Sequence, residues 1–360
     1  MSKKANRKKP VVVDLFSGCG GLSYGLEKAG FQIVLGVDHW EPSLITFKHN
    51  HPGAEIIPAD ISKIKGTDIL RAVGKKIDVL VGGPPCQGFS LSGPRNFFDE
   101  RNRLYLDFIR LVKEIRPRAF IIENVPGLAG LFKGQIKDRI IKELSKLGYS
   151  VNAKILNASD YGVPQNRRRI VFVGLKSGKA FDFPKPTHFD NAPLIGKNKI
   201  SVGEAIGDLP LLDKKLGAEE MDYQSKPLSE YQKLMRKGNK KIYNHVASKH
   251  SKQTVEIIAL VPEGGNYKSL PKNLQNIRNF HIAWTRLHRA KSSPTIDTGH
   301  RHHFHPVANR VPTVRESARL QSFPDSFIFK GVKTSQYKQV GNAVPPLLAE
   351  AIGKQLIKYL

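Results

Sequence analysis

In the first half of this chain, short apolar runs rich in β-branched residues alternate with stretches of helical periodicity. Residues 11–16, 33–38, 78–81, 119–125 and 169–175 read as buried strands. Residues 21–29, 104–115 and 135–147 carry apolar side chains at helical spacing. A strand that is apolar throughout is buried on both faces, and helices above and below a parallel sheet bury it that way. The predicted class is therefore α/β: a doubly wound, mostly parallel sheet of Rossmann-like plan. Residues 151–157 alternate more and are predicted at an antiparallel edge.

The texture changes at residue 184, where Pro, Gly, Lys, Asn and His accumulate and the periodicities become irregular. Residues 184–334 are read as a second, smaller, irregular domain; the alternative is a set of long loops on a single domain. Near the end, Val344, Leu347, Leu348, Ala351, Ile352 and Leu356 recur at helical spacing. That apolar face needs a host, so the first domain is predicted to comprise residues 11–183 and 335–360. Residues 1–10 form a basic tail.

The chain of 360 residues holds 58 Lys and Arg against 31 Asp and Glu, a formal net charge of +27. Such an excess predicts a polyanion as partner, because each cation that neutralises a phosphate releases a counterion. No apolar run of about 18 residues and no signal peptide appears, so a membrane partner is not expected. Two cysteines, Cys19 and Cys86, in a chain this long fit a reducing cytosol, and each needs its own explanation.

The segment Asp14-Leu15-Phe16-Ser17-Gly18-Cys19-Gly20-Gly21 follows the first strand and opens a helix. Its glycines permit a tight turn and close backbone approach to a ligand. Asp38 ends the second strand, where an acid can bond both ribose hydroxyls. The third glycine of the dinucleotide fingerprint would fall at Ser23, and Asp14 would repel a pyrophosphate. Both points favour a nucleoside cofactor without phosphates. Asp60, after a third apolar patch, is a candidate acceptor for an adenine amino group.

Residues 78–81 run into Gly82-Gly83-Pro84-Pro85-Cys86-Gln87-Gly88-Phe89-Ser90. Two prolines fix the backbone before the cysteine and glycines flank the set. This puts Cys86 at the carboxyl end of a strand, where open α/β sheets bind ligands, and a thiolate is a strong nucleophile. Another apolar strand ends in Glu123-Asn124-Val125-Pro126. A carboxylate there is costly unless it is paired, or protonated and able to donate a proton. Candidate partners lie in Gln165-Asn166-Arg167-Arg168-Arg169, where alternation along a strand would put Arg167 and Arg169 on one face and Arg168 on the other.

Together these blocks resemble the DNA (cytosine-5)-methyltransferase family of bacterial restriction–modification type. The resemblance continues through Arg315-Glu316-Ser317-Ala318-Arg319-Leu320-Gln321-Ser322-Phe323-Pro324 and Gln339-Val340-Gly341-Asn342-Ala343-Val344-Pro345-Pro346, in the family's order and over nearly the whole chain. It implies S-adenosyl-L-methionine as cofactor, held by Phe16, Gly18, Cys19, Gly20, Gly21, Asp38, His39, Asp60, Ile61, Pro85, Leu104, Asn342 and Val344. Position 39 is often a tryptophan in the family and is His39 here. The implied catalytic set is Cys86 as nucleophile on a flipped-out cytosine, Glu123 at the base, Arg167 holding the base or its backbone, and Arg169 orienting Glu123. Residues 87–103 would close over the flipped base, with Gln87, Ser90, Ser92 and Arg101 against DNA. The block around Arg315 would organise the recognition domain.

The expected partner is double-stranded DNA bound by a cytoplasmic monomer, with a companion restriction endonuclease acting at the same site. No metal is expected, although the run His300-Arg301-His302-His303-Phe304-His305 has a metal-like composition. Two alternatives stay open: a transfer-RNA cytosine methyltransferase, and an inactive DNA-binding protein on the same fold.

Overall fold

A computed structural model describes residues 8–85, 104–130, 134–213, 215–275, 284–299 and 303–360. They fold as two compact units. One comprises residues 1–157, 168–185 and 346–360, the other residues 158–167 and 186–345. Residues 158–167 and 335–345 therefore group with the second unit, whereas the sequence reading placed them in the first.

The first unit is built on a seven-stranded sheet. Its strands are β1 (Val11–Leu15), β2 (Gln32–Asp38), β3 (Glu55–Pro58), β4 (Val79–Gly82), β5 (Ala119–Asn124), β6 (Ser150–Asn157) and β7 (Arg168–Leu175), in the spatial order β3-β2-β1-β4-β5-β7-β6. Strands β1 to β5 pair in parallel; β7 runs antiparallel to both β5 and β6. Strand β6 is the edge strand and pairs antiparallel, as expected for residues 151–157; β7 alone runs against the other six. Residues Val79, Leu80 and Val81 are fully buried, as are Phe120, Ile121 and Val173. That is why these strands read as unbroken apolar runs.

The helices of this unit are α1 (Gly21–Lys28), α2 (Glu41–Asn50), α3 (Gly66–Val73), α4 (Leu104–Ile115), α5 (Gly127–Gly130) and α6 (Gln135–Lys146). Helix α4 buries Tyr105, Phe108, Leu111, Val112 and Ile115. These lie at the i, i+3, i+4, i+7 spacing of one helical face. Phe108, on α4, and Tyr149, just before β6, both meet Phe120 of β5 edge-on.

The C-terminal helix Pro346–Leu356 belongs to this unit and packs along α1. A Cβ added at Gly25 of α1 would collide with the carbonyl of Pro346 and with Ala349, and one at Gly353 would strike Ala29 and Leu26. Glycine is needed at both places because the two backbones approach each other closely.

The second unit has less regular structure. Its elements are β8 (His188–Phe189), β9 (Lys197–Asn198), α7 (Val202–Ile206), β10 (Gly217–Asp222), α8 (Glu230–Arg236), β11 (Lys241–Val246), α9 (Lys252–Leu260), α10 (Lys272–Gln275), β12 (Thr285–Arg286), β13 (His303–Phe304), α11 (Val314–Leu320) and α12 (Lys333–Asn342). Buried ion pairs organise it around α11. Arg319 Nε donates to Asp325 at 2.6 Å and its Nη1 to Asp208 at 3.1 Å, all three side chains being inaccessible to solvent. Arg310 makes a double contact with Glu316 at 2.7 and 2.8 Å. Arg315 donates to the carbonyls of Tyr243, Pro324 and Phe327, and the rings of Phe323, Phe327 and Phe329 pack against one another. Among the described residues, no helix is long and apolar enough to cross a membrane.

Candidate active site

Strands β1 to β5 are parallel, so the segments leaving their carboxyl ends gather along one edge of the sheet. After β1 the chain turns through Phe16, Gly18 and Gly20, all at positive φ (60°, 53° and 97°), before α1 begins. Left-handed backbone is routine for glycine and unusual for phenylalanine, so Phe16 is held there by its surroundings. A Cβ added at Gly18 would meet nothing within 4 Å, which leaves the loop open on that side.

Asp38, at the end of β2, braces this loop. Its Oδ2 accepts from Gly18 N at 2.9 Å and its Oδ1 from Trp40 N at 2.8 Å. Each oxygen retains acceptor capacity for a hydroxyl. Ser17 Oγ is buried and has no hydrogen-bond partner among the described residues. Such an orphan costs about 1–3 kcal/mol, and a bound polar ligand would remove that cost. The open face at Gly18, the part-free Asp38 carboxylate and the orphan hydroxyl fit an uncharged polar group such as a ribose.

Burial pushes the Asp14 carboxyl up to about 7; Ser23 Oγ, donating at 2.6 Å, partly offsets this, and the nearby Asp38 adds to it. An acid buried beneath the loop disfavours an anionic ligand above it. Cys19 is buried in the same turn, and desolvation pushes its thiol up to about 12, which disfavours the thiolate. Gly20 and Gly21 are buried as well.

The other expected cofactor residues divide between the two units. His39 is exposed, with Nδ1 3.5 Å from Asp38 Oδ1. Asp60 is exposed beyond β3; its Oδ1 accepts from Ser62 N and Oγ at 3.0 and 2.8 Å, which holds its carboxyl below the usual range. Ile61 is buried. Pro85 is half-buried after β4, and Leu104 is half-buried at the start of α4. Asn342, exposed, ends α12 in the second unit, and Val344 is buried two residues on. Cys86, Gln87, Ser90, Ser92 and Arg101, with the rest of residues 86–103, lie outside the described residues.

The strongest geometry surrounds Glu123. It sits on β5 with its side chain 13% exposed, and Arg169 Nε donates to its Oε1 at 2.9 Å. Glu123 pairs across the ladder with Val171, so Arg169 is its diagonal neighbour on the same face. Arg169 Nη1 also donates to the Arg168 carbonyl at 2.7 Å, which fixes the guanidinium. A Cβ at Gly83 would lie 3.2 Å from Glu123 Oε2, so the glycine keeps the carboxylate's second oxygen uncrowded.

Arg167 does not share this face. It precedes β7, belongs to the second unit, and is buried with Nη2 on the Gly341 carbonyl at 2.9 Å and Nη1 on the Ile296 carbonyl at 3.4 Å. The alternation expected from Arg167 onward begins only at Arg168, where the strand begins.

Two positioning residues escaped the sequence reading. Asn124 Nδ2 donates to the Pro84 carbonyl at 2.9 Å and its Oδ1 accepts from Val125 N at 2.8 Å. It hitches the exit of β4, which leads to Cys86, to the end of β5. Its place beside Glu123 was the available signal. His51 is inaccessible, with Nδ1 2.9 Å from Glu27 Oε2 and Nε2 3.2 Å from the Gly20 carbonyl. It supports the glycine turn from beneath, at a separation along the chain that no local pattern reveals. In the His300–His305 run, His303 and His305 are buried; His305 Nδ1 accepts from Val307 N and Ala308 N, and burial lowers its pKa to about 4.

The sequence pattern described as C-5 cytosine-specific DNA methylase matches residues 11–358. This chain belongs to that family. The methylase is 39% identical to the type II methyltransferase M.DdeI of Desulfomicrobium norvegicum, over 97% of this chain and 88% of the relative. It is 40% identical to the type II methyltransferase M1.HphI of Haemophilus parahaemolyticus, over 96% of this chain and 86% of the relative. Among solved structures, an E. coli prophage-encoded protein described as a DNA modification methyltransferase superposes with a TM-score of 0.79 at 30% identity, covering 97% of this methylase and 99% of that chain. The S. pombe Dnmt2 methyltransferase, at 17% identity and a TM-score of 0.58 over 98% and 99% of the two chains, shares the fold.

Proposed function

We propose that this methylase transfers the methyl group of S-adenosyl-L-methionine to C5 of a flipped-out cytosine in duplex DNA, through a covalent bond between Cys86 and C6. The observation that carries the reading is the Glu123–Arg169 pair at the end of β5, hitched through Asn124 to the Pro84-Pro85 exit that leads to Cys86. Phe16, Gly18 and Asp38 would hold the cofactor's nucleoside, with Ser17 Oγ gaining a partner. When bound, the cofactor supplies an electrophilic methyl group on a sulfonium centre, which C5 takes.

The rest falls to the chain's own residues. The target ring lies inside the base stack, so it is extruded at a cost of about a few kcal/mol. The Cys86 thiolate adds to C6 while Glu123 hydrogen-bonds or protonates N3, which moves electron density onto C5. A base then takes the C5 proton, the S–C6 bond breaks, and the 5,6-double bond returns. Arg169 fixes where the Glu123 carboxyl points. Gln87, Ser90, Ser92 and Arg101 are the proposed DNA contacts.

The names of the two relatives support a protective role in a restriction–modification system; a companion endonuclease acting at the same site and a cytoplasmic monomer complete the proposal. The test is methyl transfer by Cys86→Ser on duplex DNA, with transfer RNA as a second substrate. Transfer to DNA should fall by at least about a thousandfold, with affinity for duplex changed less than about threefold. Comparable turnover by the variant, or transfer to RNA alone by the wild type, would sink the proposal.

A further inference from the structure

The opposite end of the sheet in the first unit carries a row of cations that the reaction does not use. Backbone hydrogen bonds hold the entering segments side by side: Asp78 N donates to the Val11 carbonyl, Ala119 N to the Asp78 carbonyl, and Lys176 N to the Arg118 carbonyl. Over these four adjacent strands, β1, β4, β5 and β7, lie Lys8 and Lys9, Lys75 and Lys76, Arg116, and Lys176 and Lys179. All seven are exposed, and none has a carboxylate partner among the described residues. Lys75 reaches only the amide oxygen of Gln32, at 3.2 Å.

The acids at this end are spoken for. Asp78 accepts from Val11 N at 2.9 Å and faces Arg118 at 3.5 Å, and Arg118 also meets the Leu360 carbonyl. Asp182 accepts from the Tyr359 hydroxyl at 3.1 Å. Favourable interaction with helix carboxyl ends accounts for basic residues within a last turn, such as Lys28 and Lys146, but fades beyond it. It does not account for Lys8 and Lys9, or for Lys176 and Lys179, which adjoin strands.

Four strands at about 4.8 Å spacing make a row about 15 Å long, over which a duplex presents roughly nine phosphate charges at one per 1.7 Å. No large exposed apolar side chain lies in residues 8–11, 74–79, 115–119 or 175–180, so the surface lacks the wedge that inserts into a lipid layer. The row is one strand length from the edge bearing Asp38 and Glu123, and faces the other way. A duplex seated at that edge leaves it bare.

We propose that this row is a second DNA-binding site, holding a further segment of duplex by its phosphates without regard to sequence while the first segment occupies the reaction site. The proposal rests on the reading of the opposite edge as the DNA-modifying one.

The test is a bridging assay with the full chain. Protein saturated with an immobilised duplex is challenged with a fluorescent duplex, and sedimentation reports copies of chain per complex. Wild type should capture the second duplex at one copy of chain. Lys75→Ala/Lys76→Ala/Lys176→Ala/Lys179→Ala should capture about tenfold less, with the salt slope of capture shallower by about three to four, while methylating a short duplex within about twofold of wild type. Should that variant fail to fold, Lys8→Glu/Lys9→Glu, before the first strand, should lower capture in the same direction. Absence of capture by wild type, capture only by paired copies, undiminished capture by a folded variant, or binding of anionic vesicles in place of DNA would overturn the proposal. So would loss of short-duplex methylation together with capture. A wild type that bridges DNA yet never methylates it would instead overturn the reading of the reaction edge.

Discussion

Asp14 is a buried acid beneath the glycine turn, and its protonation ties the fold to pH. Its folded pKa of about 7 lies above the ordinary 3.8, so the folded state binds the proton more tightly than the unfolded one. The stabilisation is complete below about pH 4 and is lost as pH rises through 7. Asp14→Asn keeps an oxygen for Ser23 and removes the titration. Thermal unfolding should therefore show the variant gaining on wild type between pH 5 and 8, by at most about 3 kcal/mol. A constant difference across that range would refute this account of Asp14. Arg169 raises a different question, because it acts through Glu123. Arg169→Ala should lower the transfer rate by about ten- to a hundredfold with little change in cofactor affinity, whereas Arg169→Lys should recover part of the loss. A variant that loses affinity and keeps its rate would show Arg169 to be a cofactor residue instead.

At the scale of elements, the close approach of α1 and the C-terminal helix allows a sharp expectation. Gly25→Ala places a methyl against the Pro346 carbonyl, and the helices must part. The cost should be about 1–3 kcal/mol, read as a lower melting temperature, and Gly353→Ala should act in the same direction. An unchanged melting temperature would mean that the two helices are less tightly apposed. These helices, like α4 and strands β1, β2, β4 and β5, were legible because burial on one or both faces imposes a period on the sequence. In the first unit α2, β3, α3 and α5 were not, nor were the individual elements of the second. The four residues of β3 are exposed or half-buried and carry no alternation. In the same way, the direction of β7 is invisible in a residue run that is apolar either way. Glu123 and Arg169 were legible as candidates because charge at the end of an apolar strand demands a partner. Asn124 and His51 were not, since their roles depend on backbone atoms brought near by the fold.

For the molecule as a whole, the net charge of +27 predicts that affinity for duplex DNA is dominated by counterion release. Between 50 and 200 mM salt, affinity should fall by about a thousandfold or more if six or more phosphates are contacted. A binding constant insensitive to salt would contradict this. The placement of the C-terminal helix has a further consequence, for synthesis. Residues 346–356 lie against α1, yet 160 residues of the second unit, 186–345, are translated between β7 and that helix. A nascent chain halted anywhere in that interval has α1 with one flank unclad. A ribosome that stalls there therefore carries a fragment whose first unit still lacks the helix that covers α1.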